Sequence, residues 1–155
     1  MAERPLDIVP LEPWHLAQLA ARPRAPQSVV DQVRDPASVQ VLCSQISYAA
    51  LRAGTVVAAA GVVRLWPGRA AGWFYRGEMR RRDWPAVTRA VEQCFEEIQA
   101  AGIWRVEIAV MAGFQAGYRW AHRLGFRVDC RMEAFLPDGG DAFVYSRVFR
   151  SAVPG

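Results

Sequence analysis

The chain has 155 residues, 52% of them hydrophobic and 22% charged, a balance that suits a globular domain with a sizeable core and argues against a disordered protein. Its net charge is +4, and all 19 basic side chains behind that figure are arginine; a lysine-based P-loop is excluded, and the arginines are scattered, not gathered into a stripe that would track nucleic acid. No apolar run is long enough to span a bilayer, and Met1-Ala2-Glu3-Arg4-Pro5 lacks the charged-then-apolar layout of a secretory leader, so the expectation is one intracellular domain over residues 1–155.

In chain order, Ile8 and Val9 form a short strand closed by Pro10. Pro13 stands where a first helical turn tolerates it, and Trp14, Leu16, Leu19 and Ala20 follow at a spacing that gives one buried face. Arg22-Pro23-Arg24-Ala25-Pro26 breaks that helix, because the residue before a proline is pushed out of helical geometry. Residues 28–34 and 36–45 read as two further helical pieces. Asp35 is the N-cap of the second, and Val39, Leu42, Cys43 and Ile46 are its inward side. Residues 47–52 and 55–65 read as strands around an Ala53-Gly54 turn, a hairpin signal. The small residues Ala58-Ala59-Ala60-Gly61 admit a close neighbour. Trp66-Pro67-Gly68-Arg69 makes the next turn. Residues 70–77 make the next strand, with Trp73 and Tyr75 on one face and Phe74 and Arg76 on the other.

Asp83 is placed to cap a long helix over residues 84–101 that Gly102 ends, since a side-chain oxygen there satisfies an orphan N–H and glycine tolerates the left-handed exit. Val87, Val91, Cys94 and Ile98 repeat at helical spacing as a buried stripe, with Glu92, Gln93 and Glu96 outward. Residues 105–111 form a strand in which Val106, Ile108 and Val110 share a side. Ala116-Gly117-Tyr118-Arg119-Trp120-Ala121-His122-Arg123-Leu124-Gly125-Phe126 reads as a short amphipathic helix that stops at Gly125 and turns straight into a strand. Residues 128–135 and 142–150, joined by Pro137-Asp138-Gly139-Gly140, make a C-terminal hairpin, as turn residues between two alternating runs require. The cysteines, Cys43, Cys94 and Cys130, are odd in number and show no metal-ligand spacing; Cys94, on the apolar helix face, reads as a buried free thiol.

The order helix, strand, helix, Leu-Gly-Phe, strand, with Gly117, Trp120, Leu124, Gly125 and Phe126 at fixed steps, resembles the C-terminal half of the GNAT (acyl-CoA N-acyltransferase) superfamily. The resemblance covers roughly residues 46–149. It implies an α/β (α+β) fold: a twisted, mixed, mostly antiparallel sheet of six to seven strands with helices on both faces, in which the strand that ends near Gly77 and the strand over residues 105–111 splay apart. It implies acetyl-CoA as cofactor and an unidentified amine acceptor as partner. In the family a glycine-rich turn at a helix N-terminus wraps the pyrophosphate with backbone N–H groups. Here that segment is Gly77-Glu78-Met79-Arg80-Arg81-Arg82-Asp83-Trp84-Pro85. It holds one glycine, Pro85 removes a donor, and Asp83 brings a negative charge. Arg80, Arg81, Arg82 and Trp84 are therefore the candidate cofactor-binding residues, the arginines acting through charge-assisted bonds; the same run also reads as a solvated loop. The family's tyrosine, which protonates the departing thiolate, falls on Ala121, and its asparagine on Phe114. Tyr118 and His122 are the candidate replacements, with Tyr75 a further phenol. Glu78 is the candidate general base and Glu107 its rival; either carboxylate also reads as an ordinary surface residue.

A narrower resemblance accompanies this one. Leu65-Trp66-Pro67-Gly68-Arg69-Ala70, Thr88-Arg89-Ala90-Val91, Ala116-Gly117-Tyr118-Arg119-Trp120-Ala121 and Phe135-Leu136-Pro137-Asp138-Gly139 resemble GNAT-like proteins encoded in tailed bacteriophages and prophages. Two functions follow from the resemblances: an acyl-CoA-dependent N-acyltransferase, or a catalytically inactive GNAT-fold virion or assembly protein with phage virion proteins as partners. The corresponding locations are the cytoplasm or a phage particle, with no membrane partner and no nucleic acid.

Overall fold

In the computed structural model, which describes residues 4–155, seven strands form one mixed sheet. They are β1 (Asp7–Pro10), β2 (Ser47–Arg52), β3 (Thr55–Trp66), β4 (Arg69–Arg76), β5 (Arg105–Met111), β6 (Arg127–Met132) and β7 (Ala142–Val148), in the order β1-β2-β3-β4-β5-β7-β6. The helices are α1 (Pro13–Ala20), α2 (Gln27–Arg34), α3 (Pro36–Ser44), α4 (Trp84–Ala100) and α5 (Gln115–Arg123). The expected leader reading rests partly on Met1, Ala2 and Glu3, which lie outside the described residues. Among the described residues no helix is long and apolar enough to cross a membrane. The chain forms two compact units, one of residues up to Val63 with Trp73–Glu97, the other of Arg64–Gly72 with Ile98–Gly155.

In the first unit β1, β2 and β3 pair antiparallel, Asp7 opposite Leu51 and Ala49 opposite Ala59. Gly61 is where the small-residue run matters: a Cβ there would stand 2.7 Å from both the Ile46 carbonyl oxygen and Ser47 Cβ, closer than real Cβ atoms approach. One face of this sheet carries α1, α2 and α3. Leu16, Leu19, Val29, Val39 and Leu42 pack there against Ala49, Val56 and Ala59, with Trp73 and Tyr75 of β4 against the same cluster. Each such side chain contributes about 1.5–3 kcal/mol by leaving water. The opposite face meets α4: the Tyr48 hydroxyl lies 2.6 Å from the Glu97 carboxylate, and Phe74 stacks on Trp84 at 5.9 Å. Alternation along a strand sends Tyr48 and Ala49, or Phe74 and Trp73, to opposite sides, so helices on both faces follow. Asp35 caps α3 as expected, accepting from the Ala37 N–H at 3.1 Å and the Ser38 hydroxyl at 2.6 Å. On α4, Val87, Phe95 and Ile98 are buried, and Cys94 is half-buried.

In the second unit β4 pairs parallel with β5, Arg69, Ala70 and Ala71 lying opposite Arg105, Val106 and Glu107. β7 runs antiparallel to all of β5 and carries β6 on its other side. The C-terminal hairpin forms with both strands shorter than read, and its second strand is the inner one. β6 stops at Met132 where extension to residue 135 was expected: Ala134 takes φ 49°, and its N–H is drawn to the Asp141 carboxylate at 2.9 Å, away from any ladder. α5 covers β5, close enough that a Cβ on Gly117 would meet Val110 Cγ1 at 2.7 Å.

Trp14, expected on the buried face of α1, is 45% exposed; His15 is inside instead, with no exposure. The exchange has a local cause. His15 is the third residue of α1, its Nδ1 accepts the Glu12 N–H at 2.9 Å, and this closes the helix start. Nδ1 is then the acceptor and Nε2 carries the proton, without a partner among the described residues. Burial holds the imidazole below the ordinary histidine range, against the opposing influence of Glu12. The unfolded chain therefore binds this proton more readily than the folded one. Neutral His15 stabilises the fold fully above the unfolded histidine pKa of about 6.5, and the contribution is lost as pH falls below it. Thermal melts between pH 7.5 and 5 are expected to show falling Tm in the wild type and a flatter profile in His15→Gln.

Candidate functional site

The segment after β4 leaves the sheet under tight constraint. The Gly77 and Glu78 N–H groups donate to the Val57 and Val56 carbonyls at 2.7 and 3.2 Å. A Cβ on Gly77 would stand 2.4 Å from the Val56 oxygen and 2.8 Å from Leu19 Cδ2. The segment's single glycine is thus spent on the strand exit. Met79 is buried behind it. Arg80 is extended, and a 3-10 turn over Arg81–Asp83 leads directly into α4.

Asp83 does not cap α4 as expected. Its side chain turns back: Oδ2 accepts the Arg80 N–H at 2.7 Å, while the Asp83 N–H donates to the Arg80 carbonyl at 2.9 Å. Oδ1 accepts from the Arg52 guanidinium on β2. Two physical reasons apply. Pro85, in the first turn of α4, has no N–H to offer a cap, and Arg52 supplies a charge-assisted donor. Asp83 is 5% exposed. Burial alone would raise its carboxyl, but the bonds from Arg52 and the Arg80 N–H, with the charges of both arginines, leave it below the usual range. The negative charge expected to oppose an anion is therefore matched from behind.

Arg80, Arg81 and Arg82 are exposed side by side in this turn. Trp84 follows, half-buried, stacked on Phe74 with the Arg76 guanidinium 6.0 Å from its ring centre. Glu78 is exposed, and its carboxylate lies 3.1 Å from Arg22 Nε; Arg22 also donates to the Arg76 carbonyl at 3.1 Å. The first unit thus brings the three arginines, Trp84 and Glu78 together on one short segment.

Tyr118 and His122 belong to the second unit, one turn apart on α5. The Tyr118 hydroxyl accepts the Gly113 N–H at 2.6 Å, and its ring lies against Phe143 and Tyr145, at 5.7 and 6.2 Å between centres. His122 is exposed and meets Tyr145 edge-on at 5.6 Å. Ala121, where the resemblance expects tyrosine, is 1% exposed, and Phe114, in the asparagine's place, is 50% exposed. Glu107 is committed: its oxygens bond Arg69 at 2.7 Å and Arg105 at 3.0 Å. Burial would raise its carboxyl, but the two guanidinium groups together hold it low. Tyr75 packs on the first unit's core, and burial raises its phenol. The Cys94 thiol is pushed up to about 11 by burial, then by Glu97, so it stays protonated and inert.

Reading the sequence alone misses Arg52, Arg22 and Tyr145. Arg52 lies 31 positions from Asp83, and no periodicity links two residues joined only through a sheet and a turn.

No protein-family model matches the sequence, and a comparison with curated proteins finds no match. Solved structures do match in three dimensions. A ribosomal L7/L12 alpha-N-protein acetyltransferase in complex with coenzyme A has a TM-score of 0.71 at 16% identity, over 93% of this chain and 94% of that one. The ribosomal-protein-S18-alanine N-acetyltransferase from Escherichia coli has 0.68 at 16%, over 97% and 96%. An acetyltransferase of the GNAT family from Streptococcus pneumoniae has 0.65 at 16%, over 92% and 98%. The chain has the fold of the GNAT acetyltransferases.

Two measurements follow. Gly77→Ala is expected to destabilise by about 1–3 kcal/mol, the cost of forcing a group into packed surroundings, read as a lower denaturant midpoint. With a chromogenic disulfide reagent at pH 8, exposed Cys130 is expected to react promptly and Cys94 only on unfolding.

Proposed function

We propose that the protein is an acyl-CoA-dependent N-acyltransferase with acetyl-CoA as cofactor and an amine as acceptor. The observation that carries this is the ion pair of Asp83 with Arg52, which offsets the carboxylate beside the exposed Arg80, Arg81 and Arg82. The donor chemistry fits an anionic group: three adjacent guanidinium side chains at the beginning of a 17-residue helix, whose N-terminus itself favours negative charge. Similarity in three dimensions to a coenzyme A complex supports the same reading.

Bound acetyl-CoA supplies a thioester-activated acetyl group. Arg80, Arg81 and Arg82 would hold its anionic end, with the Trp84 ring beside them at the start of α4. Glu78, exposed and 3.1 Å from Arg22 Nε, is the base that would take the proton of the acceptor amine, directly or through water. Tyr118 and His122, one turn apart on α5, are the candidate proton donors of this reading. Positioning supplies most of the rate in such a transfer. Residues 1–155 act in this reading as one GNAT-like domain, supported by unit boundaries that fall inside β3, β4 and α4 and not in linkers.

A second reading has its own support. Buried Ala121 and exposed Phe114 stand where the resemblance places functional groups, and four short segments resemble phage- and prophage-encoded relatives. These favour an inactive virion or assembly component of phage origin. Co-purification with phage particles, without acetyl transfer to any amine, is its expected outcome.

The enzyme reading is tested by thermal shift. Acetyl-CoA at a hundredfold over Kd is expected to add about 2.7 kcal/mol, or about 5–10 °C for a chain of this size. Changing Arg80, Arg81 and Arg82 together to Ala is expected to abolish the shift. No shift at millimolar acetyl-CoA refutes the proposal.

A further inference from the structure

We infer that Arg52 and Asp83 form a strut that positions the arginine turn for anion binding, Asp83 being a positioning residue that never touches the ligand. The inference rests on the coenzyme-binding reading above and assigns a role to two residues which that reading leaves unused.

Asp83 engages both ends of the turn it closes. Its carboxylate takes the Arg80 N–H, its own N–H goes to the Arg80 carbonyl, and its second oxygen is held by Arg52. Both partners of the ion pair are largely out of solvent, at 14% and 6% side-chain exposure. A surface pair contributes little, whereas removing one partner of a buried pair strands a charge and is strongly destabilising. The turn is thus fixed at two points. Gly77 and Glu78 are pinned to β3 by backbone bonds, and Asp83 is pinned to β2 by Arg52. Between these points stand the three exposed arginines. Long arginine side chains lose much freedom when they grip an anion, and a backbone already ordered removes part of that cost.

Asp83 has two opposed influences on an anion held by the neighbouring arginines. As a bare charge it repels the anion, so its removal strengthens binding. As a strut it orders the turn, so its removal weakens binding. Arg52 in direct contact reduces the charge to a local dipole, and the field of a dipole falls off faster than that of a lone charge. Ordering therefore dominates, and the sign of the effect identifies the role.

The test is coenzyme A affinity by titration calorimetry, with amide hydrogen exchange at Arg80 as a readout independent of ligand. Asp83→Asn is expected to weaken coenzyme A at least tenfold, although it removes a negative charge from a basic site, and to speed exchange at the Arg80 amide. Arg52→Lys, which keeps the charge, is expected to bind within about threefold of wild type, while Arg52→Met weakens binding as Asp83→Asn does. In an active enzyme the loss falls on KM for acetyl-CoA, with kcat little changed. Should Asp83→Asn fail to fold, the double variant Arg52→Met with Asp83→Leu replaces the pair by apolar side chains, and it is expected to fold and show the same tenfold loss. Affinity equal to or tighter than wild type in a folded Asp83 variant overturns the inference alone. Absence of binding in the wild type overturns the coenzyme-binding reading and the strut with it.

Discussion

A buried carboxylate requires a partner, and the turn that opens α4 is organised around the partner Asp83 has. Arg52 reaches it from β2, a strand connected to it only through the sheet. With that contact in place, Asp83 spends its remaining hydrogen bonds on Arg80, and the turn closes on itself without borrowing donors from α4. The absence of a usable N–H at Pro85 then carries no penalty. The outward surface of the turn carries the exposed Arg80, Arg81 and Arg82 where the resemblance expects a glycine-rich backbone.

The second unit is built on close packing at α5. Gly117 lets the helix approach Val110, and that approach sets Tyr118 and His122 against Tyr145 of β7. The Gly113 N–H on the Tyr118 hydroxyl fixes the phenol's direction. Glu107, a plausible base on sequence grounds, is a structural ion-pair partner held by Arg69 and Arg105. Burial similarly makes Cys94 a packing residue. In each case the chemistry of the side chain is decided by what lies within hydrogen-bonding distance, which residue type alone does not reveal.

The elements were largely legible. β2 and β5 fall where alternation and turn residues place them, and α3 and α5 begin and end within a residue or two of their capping and Leu-Gly-Phe signals. Misreadings occur where one local bond outweighs the pattern. Trp14 and His15 exchange places because an imidazole nitrogen closes the start of α1. β6 ends early because Asp141 captures a backbone N–H. The candidate site was legible as a run of arginines and a helix start; the ion pairs that restrain Glu78 and Asp83 were not, because Arg22 and Arg52 reach them from remote stretches of chain.

By itself the sequence determined the number, kind and order of the elements, the basic turn before the long helix, and the small residues that permit close approach. These depend on local backbone preference and on periodicity, both written within a few turns of chain. Tertiary structure alone decided that β7 lies between β5 and β6, that Arg52 neutralises Asp83, and that Tyr145 receives both Tyr118 and His122. Those are contacts between residues far apart in the chain, selected by how faces pack and how buried charges find partners, and no local signal encodes them.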